Sequence, residues 1–89
     1  LVPGVSRAGD IATCAHTNSG STSVFANAKG VSMVGVSTAG GGTITGPGIP
    51  TVLVEGNAIA VGGDSISSHG DSPHKFAKTG NPSTDVFAA

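Results

Sequence analysis

The apolar residues of this chain form short clusters, and the spacing of those clusters predicts strands rather than helices. Val, Ile, Thr and Phe gather in brief runs, and Gly, Asn, Ser or Pro separates each run from the next. The longest segment without glycine, Asp10–Ser19, is shorter than an average helix. Because β-branched and aromatic residues favour strands and the intervening residues favour turns, the pattern predicts an all-β fold of short hairpins.

Two of the predicted hairpins are copies of one another. Gly20–Val36 aligns without a gap with Gly48–Asp64, and each segment consists of a strand, a turn and a second strand. The predicted strands are Ser23–Ala26 and Val31–Val34 in the first copy, and Thr51–Val54 and Ala58–Val61 in the second. The Asn and Gly residues between them tolerate the positive φ angles of tight hairpin turns.

A third copy is divided between the two ends of the chain. Val5–Asp10 aligns with the closing half of the other copies, and Gly80–Ala89 supplies the opening half. We therefore expect the N- and C-terminal strands to pair as one hairpin and to close a pseudo-threefold body. The loops between the three hairpins are Ile11–Ser19, Ser37–Pro47 and Ser65–Thr79.

The composition leaves little material for a hydrophobic core. A chain of 89 residues is near the size at which one core supplies only a few kcal/mol of net stability, and a metal or a partner is often added. There is no Trp or Tyr, and Leu1 and Leu53 are the only leucines. The low charge and the ordered Val and Ile clusters still favour a folded chain over a disordered one. With only four Lys and Arg residues, we expect no nucleic-acid partner.

The residues best suited to bind a metal lie in two of the three loops. They are one thiol and three imidazoles in two close pairs, Cys14 with His16 and His69 with His74. A structural zinc ion takes four N or S ligands, and closely spaced pairs cost less chain entropy to bring together than scattered residues. One cysteine cannot form an internal disulfide, so Cys14 is a free thiol, one half of an intermolecular bridge or a metal ligand. The alternative is that a buried cysteine and three surface histidines share these loops by chance.

The repeat and its turns resemble those of the PAAR-repeat proteins. The segments that carry the likeness are Ser6–Asp10, Val24–Gly30 with Gly35, and Thr51–Asn57 with Gly63 and Asp64. The chain departs from the Pro-Ala-Ala-Arg signature itself, because Gly30–Met33 and Ala58–Val61 stand at its two internal places. Val36 also replaces the aspartate that Asp10 and Asp64 preserve.

The resemblance implies a fold and a metal. The fold is a small cone of short β-strands formed by residues 1–89 as one domain, with residues 1–4 either a flexible start or a remnant of a longer or tagged chain. The metal is one zinc ion bound near the apex by Cys and His side chains. In this sequence the matching ligands are Cys14, His16, His69 and His74.

The resemblance also implies a function. Such a chain caps and sharpens the trimeric β-helical spike of a contractile injection machine, either a phage tail or a type VI secretion system, and pierces membranes without acting as an enzyme. One copy would dock by its blunt, strand-built face on each spike trimer, with the metal end toward the target cell envelope, which it contacts transiently. The protein would be made in the bacterial cytoplasm and carried at a virion tail tip or secreted with the apparatus. No small-molecule substrate is implied.

The residues alone leave two other functions open. The same ligands could form a small zinc-dependent hydrolase or toxin, or a zinc-binding adaptor for another partner. Four protein ligands leave no open position on the ion, so we expect no enzyme. We expect Asp10 and Asp64 to bond backbone amides in turns, and Gly40–Gly42 to be a flexible turn in the loop without ligands. Glu55 and Asp85 receive no role.

Overall fold

A computed structural model describes residues 3–70, 75 and 77–88, and the regular structure within these residues is entirely β. The strands are β1 (Phe25–Ala26), β2 (Lys29–Gly30), β3 (Thr38–Ala39), β4 (Gly42–Gly46), β5 (Ile49–Val54), β6 (Asn57–Ile59) and β7 (Ser65–Ile66). In this part of the chain they form three antiparallel sheets, with the orders β1-β2, β3-β4-β7 and β5-β6. No helix here has the length and hydropathy to cross a bilayer. The all-β prediction is confirmed.

Both internal hairpins that the sequence predicts are present, but the second strand of the first one lies earlier in the chain than predicted. β1 pairs with β2 across the two-residue turn Asn27-Ala28, and β5 pairs with β6 across Glu55-Gly56. The φ angles are 55° and 64° in the first turn and 53° and 84° in the second. Two successive positive φ angles give a turn whose twist matches that of the paired strands. The predicted strand at Val31–Val34 is wrong, because β2 ends at Gly30 and the residues after it make only single bridges.

The closing halves of the three copies meet in a ring of backbone hydrogen bonds. The amide of Ser6 donates to the carbonyl of Ala60, that of Ala60 to Ser32, and that of Ser32 to Ser6, over 2.9 to 3.0 Å. These three positions are equivalent in the sequence repeat. The glycine three positions after each one has φ near the same positive value: 88° at Gly9, 84° at Gly35 and 86° at Gly63. The repeat therefore encodes one backbone conformation that occurs once in each of the three copies. The conical outline and the threefold symmetry of the whole domain stay predictions.

The two ends of the chain pair with each other, as the repeat predicts. Gly4 and Phe87 form an antiparallel bridge. The amide of Val5 donates to the carbonyl of Val86, and the amide of Ser83 donates to the carbonyl of Val5, both over 2.9 Å. The third hairpin is thus assembled from both termini.

The predicted loop Ser37–Pro47 is more regular than expected, although its glycines do form a turn. It forms the β3–β4 hairpin, whose two-residue turn is Gly40-Gly41, and β4 also pairs with β7. Contacts with a strand distant in sequence give this glycine-rich segment its order. The loop without ligands is therefore a regular element.

Short polar side chains close the turn that follows each ring segment. The carboxylates of Asp10 and Asp64 accept the amides of Arg7 and Val61, each over 2.9 Å, as expected of turn residues. After the first internal copy, Gly20–Val36, the hydroxyl of Ser37 accepts the amide of Met33 over 2.8 Å. The aspartate that is missing at Val36 is therefore replaced by a serine one position later.

Two exposed carboxylates, for which the sequence suggested no role, connect neighbouring copies. Glu55 accepts hydrogen bonds from the hydroxyls of Ser21 and Ser23, and these bonds lower the pKa of its carboxyl group. Asp85 accepts a 2.7 Å hydrogen bond from the side-chain amide of Asn27 and lies 3.0 Å from the hydroxyl of Ser83, and these contacts lower its pKa. Each carboxylate thus links a hairpin turn of one copy to the opening segment of another.

Buried apolar side chains form two clusters in the described part of the chain. The large core contains residues that flank the ring positions, together with residues of the hairpins around them: Val5, Ala26, Val31, Met33, Val54, Ile59, Val61 and Ala88. The small core contains Ala12, Cys14, Ala39, Ile44, Ala60, Ile66 and Ala77. Because alanines dominate the small core, it buries little apolar area. Apolar burial therefore stabilises the region around Cys14 less than it stabilises the large core.

Candidate metal centre

Three of the four predicted ligands converge at the surface of the small core. Nδ1 of His16 lies 3.5 Å from Sγ of Cys14 and 3.1 Å from Nε2 of His69. The remaining distance, from Sγ of Cys14 to Nε2 of His69, is 3.6 Å. Cys14 is buried and both imidazoles are half-buried. Among the residues that the structure describes, this group alone brings three metal-binding side chains together. His74, the fourth predicted ligand, lies outside the described residues.

The distances between the three donor atoms fit one tetrahedral ion. A zinc ion bound at about 2.3 Å by sulfur and about 2.05 Å by nitrogen holds S and N about 3.6 Å apart and two N atoms about 3.3 Å apart. The observed S to N distances of 3.5 and 3.6 Å agree closely, and the N to N distance of 3.1 Å is slightly shorter. A single ion can therefore contact all three atoms with the loops as they stand, and one coordination position remains for a further ligand.

The hydrogen bond on the far side of His69 sets its protonation. Nδ1 of His69 lies 2.8 Å from the carbonyl oxygen of Ser67, which can only accept a hydrogen bond. Nδ1 therefore carries the proton of the neutral ring, and Nε2 presents its lone pair to Cys14 and His16. A backbone carbonyl that fixes the tautomer in this way is the usual outer contact of a metal-binding histidine.

A cation or a shared proton is needed where these donor atoms face one another. The lone pair of His69 Nε2 points at a thiol and at a second imidazole nitrogen. In the absence of an ion, either of these two groups can donate a proton to this lone pair. With the thiol ionised, a metal ion balances its charge and satisfies all three lone pairs at once.

A tight turn places Cys14 and His16 on one side of their loop. The amide of Ala12 donates to the carbonyl of His16 over 2.8 Å, and the amide of Ala15 donates back to Ala12 over 2.9 Å. Ala15 itself has a φ of 70°, which is uncommon for a residue with a side chain. The turn explains why two ligands separated by one residue contact the same point.

Backbone hydrogen bonds join the two ligand loops near the cluster. The amide of Thr13 donates to the carbonyl of Lys78 over 2.8 Å, and the amide of Lys78 donates to the Thr13 hydroxyl over 2.9 Å. On the other side, Ser67 is bound to β4, since its amide donates to Thr43 over 2.8 Å and its hydroxyl accepts the Thr43 amide over 2.9 Å. These bonds hold both loops in place beside the three donor atoms.

The glycines of the β3–β4 hairpin form a wall of the site, which the sequence analysis missed. A Cβ atom at Gly40 would overlap the ring of His16, and one at Gly42 would overlap Nδ1 of His69. The two rings lie with their centroids 5.2 Å apart and their planes tilted by 39°. The available signal was the run of three glycines in the one loop that has no ligand.

The sequence thus identified three candidate ligands that the structure brings together. It did not identify the elements that hold them, namely Ser67, β4 and the glycine turn. Comparison of the chain with protein-family models, with curated proteins and with solved structures found no match in any of the three.

Proposed function

We propose that this chain is a non-enzymatic, zinc-stabilised β-domain that caps the end of a trimeric β-helical spike in a contractile injection machine. The observation that carries the proposal is the convergence of Cys14, His16 and His69 from two separate loops at tetrahedral spacing. One thiolate with two imidazoles is a donor set that favours zinc among the common metals of proteins. The proposal follows the resemblance to PAAR-repeat proteins.

The ion would act as a structural cross-link. It would join the Cys14 loop to the His69 loop at the Ala-rich small core, where apolar burial alone contributes little. His74 is the fourth ligand in this proposal, and a closed set of four protein ligands would leave no position for a catalytic water. A thiolate bound to the ion would also not be a free nucleophile. The end of the domain that carries the ion would be the end that meets a target envelope.

Three exposed apolar side chains support docking on a threefold partner. Phe25, Leu53 and Phe87 are 60%, 62% and 51% exposed. They occupy the same position in the three copies of the repeat, each one residue after a Val in the opening strand. Scattered exposed apolar residues are common, but a large apolar side chain at one position of every copy is a pattern. We assign these three residues to the face that contacts the three chains of the spike.

The experiment that tests this function measures metal and partner together. Purified protein should contain about one zinc per chain, and it should bind a trimeric β-helical spike fragment from the same source as one chain per trimer. Replacing Phe25, Leu53 and Phe87 by Ser should abolish that complex and leave the zinc content unchanged. Val36→Ser is the matched control, because Val36 is 52% exposed and lies outside the three positions.

Several outcomes would contradict the proposal. A stable homotrimer of this domain in the absence of a partner would contradict the binding of one chain to each spike trimer. Equal binding of the triple variant and the control would remove these residues from the docking face. Zinc with a bound water and measurable hydrolysis of a test ester or peptide would favour the metallohydrolase instead.

A further inference from the structure

We infer that the β3–β4 hairpin, which supplies no ligand, sets the orientation of the His16 imidazole, and that Gly40 is a positioning residue of the metal centre. This inference rests on the proposed metal site and extends it to a third loop. The backbone of Gly40 contacts the proposed ligand His16, and Gly40 is not itself a ligand.

The backbone at Gly40 lies directly against the ring of His16. The three atoms that an added Cβ would approach most closely are Nδ1, Cγ and Cε1 of that ring. Nδ1 is the donor atom that faces Cys14 and His69. Any L side chain at position 40 would therefore displace the atom that binds the ion, and zinc to nitrogen bonds tolerate only small changes around about 2.0 to 2.1 Å.

The neighbouring glycines differ from Gly40 in ways that define the controls. A Cβ at Gly41 would lie 3.5 Å from Cβ of His69, an ordinary van der Waals contact, so Gly41→Ala adds a methyl group to the same turn without overlap. A Cβ at Gly42 would approach the carbonyl oxygen of Ser67 at 2.7 Å, as well as the ring of His69. A change at Gly42 would thus disturb the backbone between β4 and β7 and is a poor test.

Gly40 also has a positive φ of 63°, and this contribution must be separated from the overlap with His16. An alanine in that conformation is strained whatever surrounds it. The variant His16→Ala/Gly40→Ala keeps the backbone strain and removes the ring that the added methyl group would meet. Comparing it with His16→Ala alone gives the effect of the backbone strain, and subtracting that from the effect of Gly40→Ala in the unmodified chain gives the effect of the ring.

The experiment measures Zn²⁺ affinity by competition with a chromophoric chelator, and the absorption spectrum after loading with Co²⁺. Gly40→Ala should bind Zn²⁺ at least about tenfold more weakly than Gly41→Ala, which should stay within about threefold of the unmodified chain. The Co²⁺ spectrum of Gly40→Ala should lose intensity in its ligand-field bands, because the geometry around the metal changes. Purely structural destabilisation would lower the unfolding midpoint without altering the spectrum of the loaded protein.

Each outcome decides between the two claims. Equal Zn²⁺ affinities and Co²⁺ spectra for Gly40→Ala and Gly41→Ala would overturn the role of Gly40 and leave the metal centre standing. Failure of the unmodified chain to bind either metal would overturn the metal centre itself. If Gly40→Ala does not fold, a folded His16→Ala/Gly40→Ala variant supports the inference. An unfolded double variant beside a folded His16→Ala overturns it, since the turn would then require glycine for its own backbone.

Discussion

Replacing both His69 and His74 by Ala should remove the contacts through which the ion joins the two ligand loops. His69 is 53 positions from His16 and 55 from Cys14 in the chain. If the ion acts as a cross-link on the unfolded chain, closing a loop of this length stabilises the fold by about 4 kcal/mol at 25 °C. Domains of this kind have total stabilities of about 5 to 15 kcal/mol, so the loss would be a large share of the whole.

The assay is denaturant unfolding at controlled free Zn²⁺. For the unmodified chain, the free energy of unfolding should rise by about 1.4 kcal/mol for each tenfold increase in free Zn²⁺ above the dissociation constant. The double variant His69→Ala/His74→Ala should lose about 4 kcal/mol in saturating Zn²⁺ and most of this dependence on the metal. Ser68→Ala, an exposed change in the same loop, should stay within about 0.5 kcal/mol of the unmodified chain.

Two results would refute this reasoning. If the unmodified chain has the same unfolding midpoint in a chelator as in Zn²⁺, the ion does not cross-link the loops. If His69→Ala/His74→Ala keeps the full dependence on free Zn²⁺, then the loop that carries these two histidines does not bind the metal in solution.

Three further predictions concern the rest of the fold. Ala28→Gly should raise the unfolding free energy by about 0.5 to 1 kcal/mol, because position 28 of the β1–β2 turn has a φ of 64°; a loss of stability in thermal melts would count against the turn. Glu55 has a lowered pKa when folded, so it stabilises the fold above its ordinary value of 4.5 and stops doing so as the pH falls through the lowered value. Glu55→Gln should therefore flatten the fall in stability below about pH 4.5, and an acid limb identical to that of the unmodified chain would disprove the role of these bonds. Ile44→Val, at a fully buried position, should cost about 1 kcal/mol in denaturant unfolding, whereas Val36→Ala should cost less than about 0.5 kcal/mol; equal losses would place Ile44 outside the small core.

The sequence was most informative where the backbone itself demands a residue type. Gly9, Gly35 and Gly63 could be aligned because the positive φ that they share excludes most other residues. The tight turn before β6 also has a positive φ angle at Gly56, and glycine is the residue that adopts it most readily. The antiparallel pairing of the termini followed from this repeat without any knowledge of side-chain packing.

Features that depend on contacts between distant segments could not be predicted. Ser37 replaces the missing aspartate one position later in the chain, and an alignment without gaps cannot show such a shift. The β3–β4 hairpin owes its order to β7 and to two imidazole rings, so its glycines indicated flexibility when considered alone. Cys14, His16 and His69 could be chosen as candidate ligands because few side chains can bind a soft metal, but the contacts around them could not be predicted.

The central claim, one ion held between two loops, is tested most directly by diffraction at the zinc absorption edge from crystals grown with Zn²⁺. The account predicts a single anomalous peak about 2.3 Å from Sγ of Cys14 and about 2.0 to 2.1 Å from Nδ1 of His16 and from Nε2 of His69. It would be contradicted by density that shows these three side chains hydrogen-bonded to one another with no anomalous peak between them.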